Sequence, residues 1–518
     1  MFDRWTGLKL HDYLQALGLF ILAFGVPMNK VLMSIGTIWL AANLLLKADF
    51  QSYWTNWRKS FVFWTISGLL LLHLLGLLYT ENYGYALSDL NAKLPLFVIP
   101  IALIAYPIEK KYFNFILIGF LLSLVITSGI NFNYMRQHDS VDYRDFSLFG
   151  SHIRYALIVV GGILVSLHLF FQFKKWRILF LLLMVWFTYY TFISQVLSGF
   201  IVFSFLILGL IIHFIATRKN SIIKYTSTFI FLSAFLAVGI FAIYLFNQKE
   251  PKIDFEKLPL TTKYGEKYYH DAESVWFENG HHIRSFIAEK ELKESWNERS
   301  TVDYKTKFSD GYTIREILIR YMTSKGLTKD REGMESMTEE DIINVENQVF
   351  SVIRTYPLIQ RKTALLRNDI YQFKVSGNPN GNSFLQRVEH WKAAKGIIAK
   401  NWIFGVGTGD VQQAFNQEYE LLNTRLDKEN WNRAHNQFMT FWISFGIIGF
   451  LLFTGFWFVF LQWNIQLGNL FGVGFTMIAI ASFLSEDTIE TQQGVTFIAL
   501  FIGLVCLLNR WIVSPKEN

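Results

Sequence analysis

Cysteine is almost absent from this sequence, which has a single one, Cys506, among 518 residues. One cysteine excludes an intramolecular disulfide, so no part of the fold is cross-linked in that way. Charged residues are also scarce, at 17% of the chain, against roughly 25% in soluble domains. Apolar residues take their place: 52% of the residues are hydrophobic and the mean hydropathy is +0.28. This composition predicts a membrane protein.

Long apolar runs follow one another along the chain, and most approach the roughly 20 residues that a helix needs to cross a bilayer. The runs are 14–28, 31–46, 61–79, 94–106, 113–130, 155–171, 178–197, 200–216, 226–246, 436–461, 470–484 and 495–513. The first and fourth runs are short, and we expect flanking residues to complete these two spans. The first run continues into the second, so we expect no cleavable signal. The sequence therefore predicts an all-α polytopic membrane protein with about 12 transmembrane helices.

Basic residues are unevenly distributed between the short loops. If the N-terminus is cytoplasmic, the inner segments contain Arg4, Lys9, Lys47, Arg58, Lys59, Lys110, Lys111, Lys174, Lys175, Arg177, Arg218, Lys219, Lys224, Arg510 and Lys516. The short outer segments then contain only Lys30, Lys93, Arg136, Arg144 and Arg154. Because lysine and arginine accumulate in cytoplasmic loops, this bias places the large 247–434 segment, which follows nine predicted helices, on the outer side. The formal charge of +7 mostly reflects this topology, so we expect no nucleic-acid partner.

The chain is predicted to have three parts. Residues 1–246 contain helices one to nine, residues 247–434 form a domain outside the membrane, and residues 435–518 contain the last three helices. Aromatic residues occur throughout the middle segment, which has no Gly/Ser-rich or Pro-rich tract. Such a composition is typical of a folded domain rather than a linker, and we expect it to be mainly helical.

Local patterns in the middle segment predict individual helices. The spacing of apolar residues indicates helices over 314–321 and 384–402, and Thr338 is a plausible N-cap for another helix. A glycine-rich turn at 405–409 follows the second of these. A turn of this kind can bind phosphate through its backbone N–H groups, but no strand precedes it and no lysine follows. A helix stop with a tight turn is therefore favoured.

Arg433 and His435 lie where the polar segment gives way to an apolar run. Desolvating such side chains at a membrane boundary is costly, which favours a functional role; a histidine that only marks the start of a helix is the alternative. Arg387 lies four residues before Trp391, so the two share one face of the predicted helix. A guanidinium beside an aromatic ring suits two-point phosphate binding. An ordinary surface arginine that covers the apolar stripe is the alternative.

Glu486, Asp487 and Glu490 crowd the outer end of the last two helices. Carboxylates at that depth usually need partners, so they are candidates to orient His435 or to pair with arginines. The alternative is a simple preference of acids for helix N-termini. No cluster of histidine, cysteine and aspartate has the spacing of a metal site, and the adjacent histidines at 281–282 are expected to be exposed. The sequence predicts neither a metal nor a cofactor.

Several motifs together resemble the O-antigen ligase and polymerase superfamily. They are Arg387-x-x-x-Trp391, Phe404-Gly405-Val406-Gly407-Thr408-Gly409, Arg433-Ala434-His435-Asn436 and Gly446-Ile447-Ile448-Gly449. About 12 helices with one large segment before the last three also match that family. The stretches 321–330 and 484–492 are similar to a subgroup of these ligase-like proteins.

The resemblance implies glycosyl transfer on the periplasmic face of the bacterial inner membrane, as part of lipopolysaccharide biosynthesis. The donor would be a glycan linked to undecaprenyl diphosphate, and the acceptor hydroxyl would belong to lipid A–core or another glycan. Such a donor is already activated, so the enzyme must stabilise the departing diphosphate and deprotonate a sugar hydroxyl. By resemblance His435 is the base, Arg387 binds the diphosphate and Arg433 is a weaker candidate for the same role. Asn436 and Trp391 are supporting residues.

The sequence departs from the family at one place. Ligases of this family usually have a second basic residue where a turn opens the eighth helix, whereas residues 194–200 here contain neither arginine nor lysine. Arg154, at the outer start of the sixth helix, is the best local substitute. An interfacial arginine that anchors a helix end is the alternative.

Two other functions remain open at this point. A polysaccharide polymerase would use the same chemistry with a growing glycan as the acceptor. A non-catalytic glycan or lipid transporter would instead bury charge at mid-membrane in broken helices. The charged motifs gather on the outer side, which favours the enzyme.

Overall fold

Helices dominate the computed structural model, which describes residues 2–137, 147–218 and 253–514 together with Thr226, Ser233 and Ile240. The chain divides into two compact units. The first unit comprises Met1–Thr228, His390–Thr424 and Trp431–Asn518. The second unit comprises Phe229–Glu389 and Arg425–Asn430.

The helices and strands are numbered here in chain order within the described residues. The first unit begins with α1 (Phe2–Met28), α2 (Lys30–Lys47), α3 (Phe50–Trp57), α4 (Phe61–Gly76), α5 (Tyr83–Ala105), α6 (Lys110–Gln137), α7 (His152–Gln172), α8 (Arg177–Ile193) and α9 (Leu197–Thr217). Then follow β1 (Phe277–Glu278), β2 (His281–His282), α10 (Glu289–Arg299), α11 (Ile314–Ser324), α12 (Arg331–Glu335), α13 (Glu339–Glu346), α14 (Leu358–Ser376) and α15 (Ser383–Lys400). The last helices are α16 (Val411–Leu421), α17 (Gln437–Gln466), α18 (Leu470–Ser485) and α19 (Gln492–Val513).

Ten helices in the described part of the chain are long and apolar enough to cross a membrane. They are Leu10–Met28, Lys30–Lys47, Phe61–Tyr79, Tyr83–Ala105, Lys110–Gln137, His152–Gln172, Lys174–Ile193, Leu197–Thr217, Gln437–Gln466 and Gln492–Val513. A shorter apolar helix covers Leu470–Ser485. The predicted run 226–246 lies outside the described residues. The prediction of an all-α polytopic membrane protein is confirmed.

The fourth span corrects one detail of the sequence reading. Lys93 is assigned above to a short outer segment, but it is buried with Asp89 inside α5, which begins 11 residues before the predicted run 94–106. The Lys93 Nζ lies 2.6 Å from a carboxylate oxygen of Asp89, one helical turn earlier. Because each charge neutralises the other, α5 accommodates both, and a hydropathy pattern alone starts the helix too late.

The core of the first unit is centred on α18, whose side chains are buried along nearly its whole length. This helix packs against α7, α9 and α17. Glycines allow the close approach: an added Cβ at Gly209 would lie 2.9 Å from Met477, and one at Gly474 would lie 2.7 Å from Leu164. Small residues at helix contacts are typical of helix packing in membranes.

The second unit has its own apolar core, in which Trp296, Leu318, Tyr321 and Met322 are fully buried. Its helices confirm the local predictions. The helix predicted at 314–321 is α11, and the one predicted at 384–402 is α15, whose last residues, from His390 on, belong to the first unit.

The predicted N-cap is also present. The backbone N–H of Asp341 donates to the Thr338 hydroxyl at 3.2 Å, and the backbone N–H of Thr338 donates to the Asp341 carboxylate at 2.8 Å. These reciprocal bonds form a capping box at the start of α13.

One expectation about the second unit is wrong. His281 is exposed as predicted, but the neighbouring His282 is buried. Its Nδ1 lies 2.5 Å from the Ser285 hydroxyl and its Nε2 lies 2.8 Å from the Ser274 carbonyl. The two histidines occupy successive positions of a strand, and successive side chains of a strand point to opposite faces.

Candidate functional site

The segment that leads into α17, residues 431–436, is held in place by side chains of α15 and α16. Three hydrogen bonds reach its carbonyl groups: Gln412 Nε2 to Trp431 at 2.9 Å, Tyr419 OH to Asn432 at 2.7 Å and Trp391 Nε1 to Ala434 at 2.9 Å. The indole of Trp391 therefore fixes the peptide group immediately before His435. Together these bonds fix the backbone from which the His435 side chain extends.

His435 has an unusual backbone and a specific partner. Its φ is +47°, a left-handed conformation that non-glycine residues rarely adopt. Its Nδ1 lies 3.2 Å from a carboxylate oxygen of the buried Glu486, and its ring lies against the buried His390 ring at a centroid distance of 5.3 Å. Backbone strain of this kind persists only where the surroundings impose it, and it clusters at functional sites.

Arg154 approaches the same carboxylate. Its Nη2 lies 3.8 Å from Glu486, and its Nη1 donates to the Ser151 hydroxyl at 3.2 Å. Arg154, Glu486 and Ser198 line one small cavity. Ser198 lies in the stretch 194–200, which lacks a basic residue in the sequence. The structure thus places Arg154 beside that stretch.

Glu490 organises a second group of charges, which we call the Glu490 cluster: Glu490, Arg433, Lys93, Asp89, Tyr85 and Gln437. Arg433 Nη1 and Lys93 Nζ both lie 3.0 Å from Oε2 of Glu490. The amide of Gln437 donates to Oε1 at 2.9 Å. Arg433 also donates to the Tyr85 hydroxyl and lies over its ring at 5.0 Å. Both terminal nitrogens of Arg433 therefore have protein partners.

Two acids between α18 and α19, Asp487 and Glu490, have pKa values shifted in opposite directions. Burial raises the pKa of Asp487, while a hydrogen bond from the Thr440 hydroxyl at 2.6 Å opposes this shift. Burial alone would raise the pKa of Glu490 as well, but Lys93 and Arg433 outweigh it and hold this pKa well below its usual range. Glu490 is therefore ionised at neutral pH, because it has two cationic partners.

Asn436 performs a structural task at the start of α17. Its side-chain oxygen accepts a hydrogen bond from the backbone N–H of Met439 at 3.1 Å, which makes it the N-cap of the helix. Its amide nitrogen donates to the carbonyl of Leu484 at 3.4 Å. Asn436 thus ties the residue after His435 to the end of α18, two residues before Glu486.

The glycine-rich turn uses its backbone N–H groups for hydrogen bonds within the protein. Four of them have protein acceptors: Gly405 donates to Asn401 O at 2.9 Å, Val406 to Ile443 O at 2.8 Å, Gly407 to Ser444 O at 3.0 Å and Gly409 to Thr80 Oγ1 at 2.8 Å. A phosphate cradle needs such groups unpaired. The arrangement therefore supports the tight-turn interpretation over phosphate binding.

Two of these acceptors, the carbonyl groups of Ile443 and Ser444, lie beside a break in α17. Phe445 and Gly446 leave the helical conformation, and Gly446 has a φ of +62° and a ψ of −159°. A Cβ at Gly446 would lie 1.9 Å from the carbonyl oxygen of Ile403. Only glycine fits this backbone region at such a distance. The glycines of the turn and of α17 therefore form one packed unit.

The turn is also tied to α5. Asp410 accepts hydrogen bonds from the backbone N–H groups of Glu81 and Asn82, each at 2.8 Å. These residues immediately precede α5, which contributes Tyr85, Asp89 and Lys93 to the Glu490 cluster. The turn thereby helps to position this cluster.

Comparison with known families identifies this region. Residues 337–454 match the family model described as O-antigen ligase. This stretch is similar to the O-antigen ligase family. The resemblance predicted from the sequence motifs is confirmed. A comparison with curated proteins gave no match.

The O-antigen ligase match contains only part of the site. His435, Arg433, Trp391 and Arg387 lie within it, as do the glycine motifs, whereas Arg154 and the acids at 486–490 lie outside it. The structure brings His435, Arg433, Arg154 and these acids together in the first unit. Arg387 lies in the early turns of α15, in the part of that helix that belongs to the second unit.

Sequence reasoning missed several members of the candidate site. Lys93, Asp89 and Gln437 belong to the Glu490 cluster, and His390 packs against His435. The four-residue spacing of Asp89 and Lys93 at the edge of an apolar run was a usable signal, because such a pair can enter a helix as a neutral unit. His390 had no such signal. In the described part of the chain, no group of three or more potential ligand side chains could hold a metal ion.

Proposed function

We propose that the protein is a glycosyltransferase that moves a glycan from undecaprenyl diphosphate to an acceptor hydroxyl, with lipid A–core as the acceptor. The match to the O-antigen ligase family supports a glycan-processing role. The observation that carries the proposal further is the pairing of His435 with Glu486, beside Arg154. This arrangement combines a base with a cation, as the reaction requires.

In this mechanism Nε2 of His435 accepts the proton of the acceptor hydroxyl. Glu486 accepts a hydrogen bond from Nδ1–H, which leaves the lone pair on Nε2 and stabilises the imidazolium that forms. The acceptor oxygen then attacks the anomeric carbon, and the bond from that carbon to the diphosphate oxygen breaks. The bond electrons leave with undecaprenyl diphosphate, which gains negative charge.

Arginines are proposed to stabilise this leaving group. We assign this role to Arg154 and Arg387, with Arg433 as a weaker candidate. Arg433 is committed to Glu490 and Tyr85, so its main contribution is to anchor the segment that carries His435. Arg154 has a looser contact with Glu486, at 3.8 Å, and can turn toward an anionic ligand more readily.

We propose that the protein lies in the bacterial inner membrane with its 247–434 segment in the periplasm. A reporter fused within 250–430 is expected to show a periplasmic location, and reporters at 175 and 218 a cytoplasmic one, because basic residues accumulate in the proposed inner loops. Alkaline phosphatase and green fluorescent protein fusions measure this. A cytoplasmic result for the large segment would contradict the whole mechanism.

Arg387→Ala is expected to lower glycan transfer by about 10²–10³-fold if the guanidinium stabilises the leaving diphosphate. Arg387→Lys should remain clearly impaired, because it keeps the charge but loses the planar two-point contact. Transfer is measured in membranes with a lipid-linked donor. Arg354→Ala, which removes an exposed arginine of the same unit, serves as the control. Normal transfer by Arg387→Ala would leave Arg387 an ordinary surface residue.

The polymerase remains the second candidate, because its chemistry is the same and only the acceptor differs. A transporter is less well supported. Arg433 and Glu490 lie just before α17 and α19 begin, whereas transporters place such groups at mid-membrane in broken helices. Lys93 lies further along α5, where it pairs with Asp89 and with Glu490.

The glycolipids of a deletion strain test the proposed function. Loss of all long-chain glycan on the acceptor, with accumulation of lipid-linked polymer, is the result expected for a ligase. Single repeat units on the acceptor would identify a polymerase instead. An unchanged glycolipid profile would overturn both proposals.

A further inference from the structure

The second unit contains a cleft of its own, with a volume of about 820 Å³. Its lining comes from the β1–β2 hairpin, from α11 and α14, and from the loop between α14 and α15. Small-molecule sites usually have volumes of roughly 300–1,000 Å³. None of the proposed catalytic or diphosphate-binding residues lines this cleft.

Three aromatic side chains line the cleft yet remain open to solvent. Tyr269, Trp276 and Tyr312 are 58%, 55% and 45% exposed. The Tyr312 ring packs edge-on against Phe350 at a centroid distance of 4.9 Å, which supports it from behind. Exposed large aromatics gathered in one concave surface are typical of a ligand site.

The position of Trp276 is fixed before any ligand arrives. Gln372 of α14 accepts a hydrogen bond from the backbone N–H of Phe277 at 3.1 Å and donates to the carbonyl of Val275 at 2.8 Å. One amide therefore holds the main chain on both sides of Trp276. The hairpin turns through Asn279 and Gly280, whose φ values of +49° and +85° suit the tight turn of a two-residue hairpin.

The arginines that line the cleft are already neutralised. Each pairs with a carboxylate: Arg284 with Asp271 at 3.1 Å, Arg315 with Glu289 at 2.7 Å and Arg320 with Glu278 at 2.9 Å. Burial raises the pKa of Asp369, another lining residue, to about 6, although a hydrogen bond from Asn382 opposes the shift. A cleft with compensated cations is poorly suited to a polyanion, because such ligands need unpaired arginine or lysine.

The remaining polar lining includes Glu316 and four planar amides, those of Asn368, Asn378, Asn380 and Asn382. A neutral sugar ring presents C–H groups on its faces and hydroxyl groups around its edge. The faces stack on aromatic rings, and the hydroxyls form hydrogen bonds with amides and carboxylates. We propose that this cleft binds a neutral oligosaccharide, as a glycan-binding site additional to the transfer site.

This binding does not depend on His435 or on the transfer reaction, so it is measured directly. Full-length protein in lipid nanodiscs, which avoid sugar-based detergents, is titrated calorimetrically with maltotriose, cellotriose and chitotriose, and with a galacturonic acid trimer as the anionic probe. At least one neutral trisaccharide is expected to bind. Trp276→Ala is expected to raise its Kd by about tenfold, since one aromatic contact is lost. Tyr264→Ala, a similarly exposed aromatic outside the cleft, should leave the Kd unchanged.

Tyr312→Ala provides a second variant should Trp276→Ala fail to fold, and melting temperatures show which variants are native. His435→Ala should bind the neutral trisaccharide with the Kd of the wild type, which separates this inference from the proposed function. Absence of binding by all neutral probes would overturn the proposal. So would binding that survives both aromatic substitutions, or a preference for the anionic trimer.

Discussion

His435→Ala is expected to lower the rate of glycan transfer by about 10²–10⁴-fold, the usual effect of removing a general base. Two other histidines are less accessible: His390 is fully buried beside it, and His73 is buried within a membrane span. The loss is measured in membranes with a lipid-linked donor, at expression matched by immunoblot.

His281→Ala is the matched control, since it removes an exposed histidine and should leave transfer unchanged. Glu486→Gln tests the orienting role that we propose for the carboxylate. It should lower kcat more than it changes KM and alter the pH profile, because an amide cannot stabilise the imidazolium. Full transfer by His435→Ala at normal expression would make His435 only a polar residue before a membrane helix.

The fold followed closely from the sequence, because a bilayer imposes one strong rule. Every backbone group inside it must be paired, so long apolar runs become helices. Apolar runs alone mislocated the start of a helix where two charges pair inside it. Asp89 and Lys93 neutralise each other in α5, and the sequence alone assigned Lys93 to a short outer segment.

The site was predictable only in part. His435, Arg433 and the acids at 486–490 were selected as candidates because charge at a membrane boundary is costly. Which acid pairs with which basic residue depends on packing between distant helices. Glu486 pairs with His435, whereas Glu490 pairs with Arg433 and Lys93. The contacts of the glycine motifs could not be predicted from the sequence either. Their pairing across the break in α17 depends on backbone contacts that no local pattern encodes.

Glu490→Ala is expected to destabilise the protein by about 3–5 kcal/mol, the usual effect of removing one partner from a buried ion pair. The buried Lys93 and the mostly buried Arg433 share this carboxylate, and only Lys93 keeps a second one, Asp89. The melting temperature of purified protein in detergent measures the loss. Glu81→Ala removes an exposed glutamate just before α5 and should change stability by no more than about 0.5 kcal/mol.

Glu490→Gln separates charge from shape in the same cluster. It keeps the size of the side chain, so a loss of stability close to that of Glu490→Ala would assign the effect to the missing charge. Because Arg433 precedes His435 by two residues, releasing it from Glu490 should also loosen the histidine and lower transfer in protein that is still folded. A Glu490→Ala variant that melts at the wild-type temperature would show instead that Lys93 and Arg433 find water or other partners, and that the cluster does not hold this end of the membrane helices together.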